Sequence, residues 1–296
     1  MGKSHIRHPD VGGIVHLEHI NFTVADYDQA SAFFMAGLGF TRDPFTRTDE
    51  LNMAINIGQQ QIHMPRRTFG TPPMHGVIGM ITPKPDAVKQ RCDDLAREGI
   101  FDGTPYGYTV NGDTHDIMSP FGVRMRLHPT GSLPFPRVLG LPYVEIPVPV
   151  GAAAAIGRFY RQVMKAIVEE SGGAVRVVMG PYQWVRFVET QGLDSYDNGT
   201  FHIAYYVCHY NAVFDLINDR GDLLGGGEDQ VFFFKNIFDP DTGKTVFGLE
   251  NEVRSFYHVD FMRPLVNRWP MSDEPVSFQR DPDREKKRYL GVMPGI

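Results

Sequence analysis

Two histidines stand at the same place in two similar segments of the chain. His19 opens the segment HINFTV and His202 opens HIAYYV, and in both the apolar residues alternate. Alternation predicts a half-buried strand, and the shared phase points both imidazoles to the same face of their strands. Histidine nitrogens and carboxylate oxygens together bind divalent metals. Each segment therefore predicts either a metal ligand or a buried histidine that is hydrogen-bonded to its neighbours.

Each histidine segment belongs to a larger unit that occurs four times. A copy has an apolar strand, an amphipathic helix and about three shorter strand-like pieces. The copies begin near residues 19, 76, 143 and 202, so that successive copies are 57, 67 and 59 residues apart. One such unit cannot cover its own sheet, and neighbouring copies must therefore pack together. We expect an α+β fold of four βαβββ modules, in which consecutive modules pair into two domains.

A segment rich in proline and glycine, at 129–142, divides the modules two and two. We expect an N-terminal domain at 14–130 and a C-terminal domain at 139–255. The remaining residues, 256–296, are rich in proline and charge and lack periodicity, which predicts an extended tail on the surface.

The composition argues against several classes of partner. The formal net charge is -6 and the basic residues are scattered, unlike the basic patch of a nucleic-acid-binding protein. No segment approaches the roughly 20 apolar residues that cross a bilayer. The two cysteines do not suggest a disulfide framework. We expect a cytoplasmic protein with a small-molecule substrate and no nucleic-acid or membrane partner, either monomeric or a homo-oligomer.

The first module carries a family resemblance. The stretch HINFTVADYDQASAFFMAGLGF has a histidine at the strand head and a helix that closes in LGF, and it resembles the vicinal oxygen chelate superfamily. That superfamily includes glyoxalase I, bleomycin-resistance proteins and type I extradiol dioxygenases. The segments FHIAYYV and FDPDTGKTVFGLENE of the last module are similar to it as well. The resemblance implies paired, glyoxalase-like modules that curl into cups, each with a divalent metal at its floor.

The resemblance also implies where metal ligands lie, on the first and the last strand of each module. The corresponding first-strand positions are His19, Gly76, Tyr143 and His202. The last-strand positions are His63, Arg126, Arg186 and, with a two-residue uncertainty in register, Gly248 or Glu250. If consecutive modules pair, Arg126 lies in the cup of His19 and repels a divalent ion. The N-terminal domain is therefore expected to be structural, or at most to hold a secondary pocket.

The C-terminal domain is the expected metal site. Its predicted ligands are His202 and Glu250, completed by Tyr143 or by Glu145, which lies two residues further on the same strand face. The predicted metal is Fe(II) or Mn(II), with Zn(II) or Ni(II) as alternatives. A different interpretation pairs Glu145 with Arg186 as a structural ion pair and leaves His202 hydrogen-bonded in the core.

Three functions fit these features. The first is a metal-dependent, extradiol-dioxygenase-like ring cleavage of a small aromatic diol. The second is a glyoxalase-like lyase or isomerase, in which Glu145 is the predicted catalytic base. Tyr206, on the strand face of His202, is a further predicted catalytic residue. The third is a non-catalytic protein that binds a small molecule in its cups.

Overall fold

The fold consists of four βαβββ modules in a computed structural model that describes residues 11–45, 52–67, 75–193 and 197–267. Module 1 contains β1 (Ile14–Asn21), α1 (Tyr27–Ser31, continued by a π-helical turn at Ala32–Gly37), β2 (Thr41–Arg42), β3 (Asn52–Ile57) and β4 (Gln60–Pro65). Module 2 contains β5 (Val77–Thr82), α2 (Pro85–Arg97), β6 (Gly107–Asn111), β7 (Thr114–Met118) and β8 (Arg124–Pro129). The predicted α+β fold class is confirmed.

The second half of the chain repeats this order of elements. Module 3 contains β9 (Gly140–Pro149), α3 (Ala153–Gln162), β10 (Val168–Ser171), β11 (Ala174–Gly180) and β12 (Gln183–Thr190). Module 4 contains β13 (Asp197–Val207), α4 (Tyr210–Asp219), β14 (Leu223–Gly226), β15 (Val231–Phe238) and β16 (Thr245–Ser255). No helix in the described ranges has the length and apolar character needed to cross a membrane.

The sixteen strands of the described chain form two eight-stranded sheets. Modules 1 and 4 share the sheet with the order β14-β15-β16-β13-β1-β4-β3-β2, and modules 2 and 3 share the sheet with the order β10-β11-β12-β9-β5-β8-β7-β6. In each sheet the first strands of the two modules pair antiparallel, β1 with β13 and β5 with β9. We call the concave face of the first sheet the first cup and that of the second sheet the second cup.

This pairing corrects the expectation that consecutive modules share a cup. All four first strands are apolar and alternate in the same way, so the sequence pattern identifies the strand that pairs but not its partner. The structure joins the first module to the last. Residues far apart in the chain, near 19 and near 202, therefore lie on neighbouring strands.

Two buried glutamines join the two sheets. Gln183 accepts a hydrogen bond from the Leu17 amide at 3.2 Å and donates its own amide to the carbonyls of Leu17 and Leu141 at 2.9 and 3.3 Å. Gln60 accepts from the amide of Leu141 at 3.1 Å. Strands β1 and β9 lie in different sheets, so these hydrogen bonds join the backbone of one sheet to side chains of the other.

Replacing Gln183 with methionine is expected to lower the free energy of unfolding by about 2–4 kcal/mol, because it leaves buried backbone groups of Leu17 and Leu141 without partners. Gln60→Met removes one hydrogen bond and is expected to cost about 1–2 kcal/mol. Urea denaturation of the two variants beside the wild type measures both. Equal costs would show that the sheets are not joined in this way.

The segment 256–267, which we call the strap, crosses one end of the first cup. Its Asp260 carboxylate lies 3.6 Å from the guanidinium of Arg254 on β16. At the far side, Asn267 and Gly58 exchange two hydrogen bonds of 2.9 and 2.7 Å. A cavity of about 460 Å³ lies between the strap and β1, with Glu18 in its lining. The rest of the predicted tail, 268–296, lies outside the described residues.

Candidate metal site

Three strands from the two ends of the chain lie side by side in the first sheet. Strands β16, β13 and β1 are neighbours. His202 pairs with Glu250, and Ala204 pairs with both Glu252 and His19. Because side chains two residues apart on a strand share a face, this register places His19, His202 and Glu252 together in the first cup.

These three side chains bring their ligand atoms close to one another. Nε2 of His19 lies 3.2 Å from Nε2 of His202, and Oε2 of Glu252 lies 3.2 and 3.3 Å from the same two nitrogens. The exposed fractions of the three residues are 0%, 8% and 5%. Donors that bind a metal at about 2.0–2.2 Å in tetrahedral or octahedral geometry lie about 3.0–3.4 Å apart. The three residues therefore fit one divalent ion.

A β-bulge in β1 orients the first histidine. Leu17 pairs with Tyr205 and His19 pairs with Ala204, so β1 has one extra residue, Glu18, at this point. A bulge turns adjacent side chains toward the same face, and the Glu18 carboxylate accepts a hydrogen bond from Nδ1 of His19. This contact fixes the ring with Nε2 toward the centre, as carboxylates do for ligand histidines in metal sites.

Glu250 orients the second histidine in the same way. Its Oε1 lies 3.1 Å from Nδ1 of His202, on the side of the ring away from Glu252. Glu250, predicted to be a metal ligand, thus lies behind a candidate ligand. The oxygen that faces both Nε2 atoms belongs to Glu252, two residues further along β16.

The buried charges of this cluster compensate one another. Burial alone would lower the pKa of His19, but the carboxylates of Glu18 and Glu252 raise it to about 9. Burial alone would raise the pKa of Glu252, but the charge of His19 and hydrogen bonds from His19 and His202 hold it well below its ordinary value. The raised pKa favours the imidazolium form of His19, and a divalent ion held at Nε2 would displace that proton, because histidine ligands are neutral.

His63, on the last strand of module 1, lies beside this cluster. Its ring stacks on the ring of His19 with a centroid distance of 3.8 Å. Burial and the charge of His19 hold the pKa of His63 well below its ordinary value. Gln61 donates its amide to Asp43 and Asn56, so its Oε1 accepts from Nε2 of His63 at 2.8 Å. The lone pair of His63 is therefore on Nδ1.

The second cup contains a tyrosine ring packed on a glycine. Gly79 pairs with Tyr143, and the tyrosine ring lies directly over the glycine. Tyr143 is hydrogen-bonded to His128 at 2.9 Å and stacks on Trp184 at a centroid distance of 5.2 Å. The first-strand position of module 2 is therefore Gly79, three residues beyond the expected Gly76. Among the described residues, no group suited to a metal ion lies in this cup.

Gly79→Ala is expected to lower the free energy of unfolding by about 1–3 kcal/mol, because the added Cβ would lie 2.2 Å from the Tyr143 ring and force it to move. Gly107, on the same sheet, is the matched control, since a Cβ there would have its nearest neighbour at 4.0 Å. Gly107→Ala should change stability by less than about 0.5 kcal/mol. Thermal and urea unfolding measure the stability of both variants. Equal losses of stability would contradict the close packing of the Tyr143 ring on Gly79.

The structure separates the residues that were expected to complete the site. Tyr143 and Glu145 lie on β9 in the second sheet, not with His202, which corrects the expected grouping. Glu145 forms a 2.8 Å ion pair with Arg186, as the alternative interpretation proposed. Tyr206 lies in the first cup and is fully buried. The first-module histidines, assigned to a structural domain, lie beside His202 instead.

Comparison with known proteins tests the family resemblance. Residues 16–127 match the model of the Glyoxalase/Bleomycin resistance protein/Dioxygenase superfamily. This match confirms the predicted resemblance to the superfamily over these residues. Among solved structures, a point mutant of glyoxalase I from Zea mays is similar with a TM-score of 0.54 and 14% identity, over 83% of this chain and 93% of that chain.

A second solved structure covers more of the chain. A proposed dioxygenase from Bacillus subtilis has a TM-score of 0.51 and 13% identity, over 95% of this chain and 97% of that chain. No curated protein matches the sequence. At these identities the likeness to solved structures concerns the fold, so the chemistry must be inferred from the site itself.

Proposed function

We propose that the chain is a metal-dependent vicinal oxygen chelate enzyme that acts on a small molecule with two adjacent oxygen atoms. The best-supported reaction is extradiol-dioxygenase-like cleavage of a small aromatic diol. The observation that carries this proposal is the buried group of His19, His202 and Glu252 with mutual donor distances of 3.2 to 3.3 Å. Two histidines and one carboxylate with open positions are the donor set of non-haem Fe(II) oxygenases.

The three residues would hold Fe(II) or Mn(II), which supplies Lewis-acid and redox chemistry to substrate oxygens and dioxygen when bound. Glu18 and Glu250 hold the two imidazoles by their Nδ1 atoms and so keep both Nε2 atoms directed inward. Zn(II) and Ni(II) accept similar donors and remain alternatives.

His63 is the proposed proton acceptor of the site. Gln61 occupies its Nε2 at 2.8 Å, and Nδ1 is left with the lone pair. An aromatic diol must lose a hydroxyl proton when it binds as a catecholate. Nδ1 of His63 is the proposed acceptor of that proton, because the His63 ring stacks on the candidate ligand His19. This role replaces the one predicted for Glu145, whose carboxylate is paired in the second cup.

Oxygen uptake tests the proposal. Protein purified without chelator is loaded anaerobically with Fe(II) and mixed with a panel of catechols, and oxygen consumption is recorded together with the absorbance of the ring-opened product. We expect uptake with at least one catechol, lost in His202→Ala and retained in His128→Ala, which removes a buried histidine of the second cup. No uptake by the iron-loaded protein with any catechol would contradict the assignment.

A lyase or isomerase is the second candidate, favoured by the placement of a neutral imidazole beside the ligands. Such an enzyme needs a base to move a proton from carbon and a metal to polarise the neighbouring carbonyl. Deuterium exchange into hydroxy-ketones under anaerobic conditions, with Mn(II), Zn(II) or Ni(II), would support this candidate. If no metal binds at all, the function of a non-catalytic binding protein replaces both candidates.

The cytoplasmic location of the protein and its assembly into a homo-oligomer remain predictions.

A further inference from the structure

Arg254 is a buried cation that contacts the candidate ligand Glu252 and the carboxylate of Glu18, which orients His19. It lies on β16, two residues after Glu252, and its exposed fraction is 7%. Nε donates to Oε1 of Glu252 at 2.5 Å. Nη1 lies 3.1 Å from Oε2 of Glu18 and 3.6 Å from Oδ2 of Asp260 in the strap, and it donates to the hydroxyl of Tyr206 at 3.4 Å. The guanidinium therefore holds both carboxylates of the cluster.

The two carboxylate oxygens of Glu252 contact different groups. Oε1 is engaged by Nε of Arg254, whereas Oε2 faces Nε2 of His19 and of His202 at 3.2 and 3.3 Å. A charge-assisted hydrogen bond to a buried carboxylate is among the stronger polar contacts in a protein. Oε1 has a second lone pair, but the Nε contact holds this oxygen toward Arg254, so turning it toward a metal beside Oε2 would bend or lengthen a buried charge-assisted hydrogen bond.

We propose that Arg254 is a positioning residue that keeps Glu252 monodentate and thereby keeps three coordination positions of the metal open. The inference rests on the proposed function, because it requires the metal site of His19, His202 and Glu252. An octahedral ion with three monodentate protein ligands has three positions left, and a bidentate carboxylate would reduce them to two. A substrate with two adjacent oxygens uses two positions. The third position would be the one available to a second reactant such as dioxygen.

A merely structural role for Arg254 would be to neutralise Glu18 and Glu252, so the test must hold charge constant. In the wild type the formal charges of Glu18, Glu252 and Arg254 sum to −1, and in the double variant Glu18→Gln/Arg254→Gln the charge of Glu252 alone is again −1. The single variant Glu18→Gln is the control that keeps Arg254. Arg254→Lys is a second variant that keeps the charge near Glu18 and Asp260 but lacks a donor at the position of Nε.

The measurement is the water-proton relaxivity of the Mn(II)-loaded full chain, which reports the water molecules on the bound ion, with Mn(II) affinity measured by calorimetry. Because Glu18 itself orients His19, Glu18→Gln is the reference for the double variant, and the wild type is the reference for Arg254→Lys. The double variant and Arg254→Lys should each lose about a third of the inner-sphere relaxivity, because an octahedral ion then has two open positions instead of three. Mn(II) affinity should not fall in the double variant relative to Glu18→Gln.

The outcomes separate the two proposals. If the wild type binds no Mn(II), the proposed function fails and this inference fails with it. If the wild type binds Mn(II) but Arg254→Lys has the relaxivity of the wild type and the double variant has that of Glu18→Gln, the role of Arg254 is overturned and the metal site stands. Thermal unfolding of each variant verifies that it is folded.

Discussion

Replacing Glu252 with glutamine is expected to abolish metal binding and turnover, whereas replacing Glu250 should weaken both without removing either. In the structure Oε2 of Glu252 faces Nε2 of both histidines, while Glu250 contacts only Nδ1 of His202. Loss of a group that orients a ligand typically costs about 10–100-fold in metal affinity, and loss of a ligand costs more. We therefore expect at least about a 1000-fold loss for Glu252→Gln and about 10–100-fold for Glu250→Gln.

Calorimetric titration of the two variants with Mn(II), and metal analysis of the purified proteins, give this comparison. The substitutions are matched, since both replace a glutamate of β16 by its amide. Circular dichroism verifies folding. A larger loss in Glu250→Gln than in Glu252→Gln would assign the ligand position to Glu250 and contradict the site described above.

His19→Ala is expected to remove the metal as completely as His202→Ala, although the two residues are 183 positions apart in the chain. The reason is the pairing of β1 with β13, which places the two Nε2 atoms 3.2 Å apart. His128→Ala, in the second cup, is the control. It should leave metal affinity within about threefold, because substitutions at residues that share no partners have independent effects.

Metal content after loading and dialysis distinguishes the two pairings of modules. If consecutive modules formed the cups, His19→Ala would leave the metal of His202 in place. Retention of stoichiometric metal by His19→Ala therefore contradicts the shared site. The same preparations measure turnover, so that loss of activity can be assigned to loss of metal.

The sequence predicts the modules and the two histidines but not how they meet. The strand heads at His19 and His202 share a phase, and the structure points both side chains into one cup. The partner of each module depends on which strand edges meet, and nothing in four similarly alternating strands specifies this. The predicted division into domains at 129–142 follows the chain, whereas the sheets combine its two ends.

The remaining parts of the site depend on local geometry that a pattern does not contain. Glu252 lies on the same strand face as Glu250, and alternation along GLENE marks both glutamates. The choice between them needs the register of β16 against β13. Glu18 reaches His19 only because a bulge turns two adjacent side chains to one face. A regular strand would direct it to the opposite side.

The most direct test of the shared site is the position of a bound metal. Crystals of the full chain soaked in Mn(II), with diffraction recorded at a wavelength where manganese scatters anomalously, locate the ion without reference to any assumed ligand. We predict one peak in the first cup, bonded to Nε2 of His19, Nε2 of His202 and Oε2 of Glu252. A peak beside Tyr143 or Glu145 in the second cup, or no peak between the two histidines, would contradict the shared site.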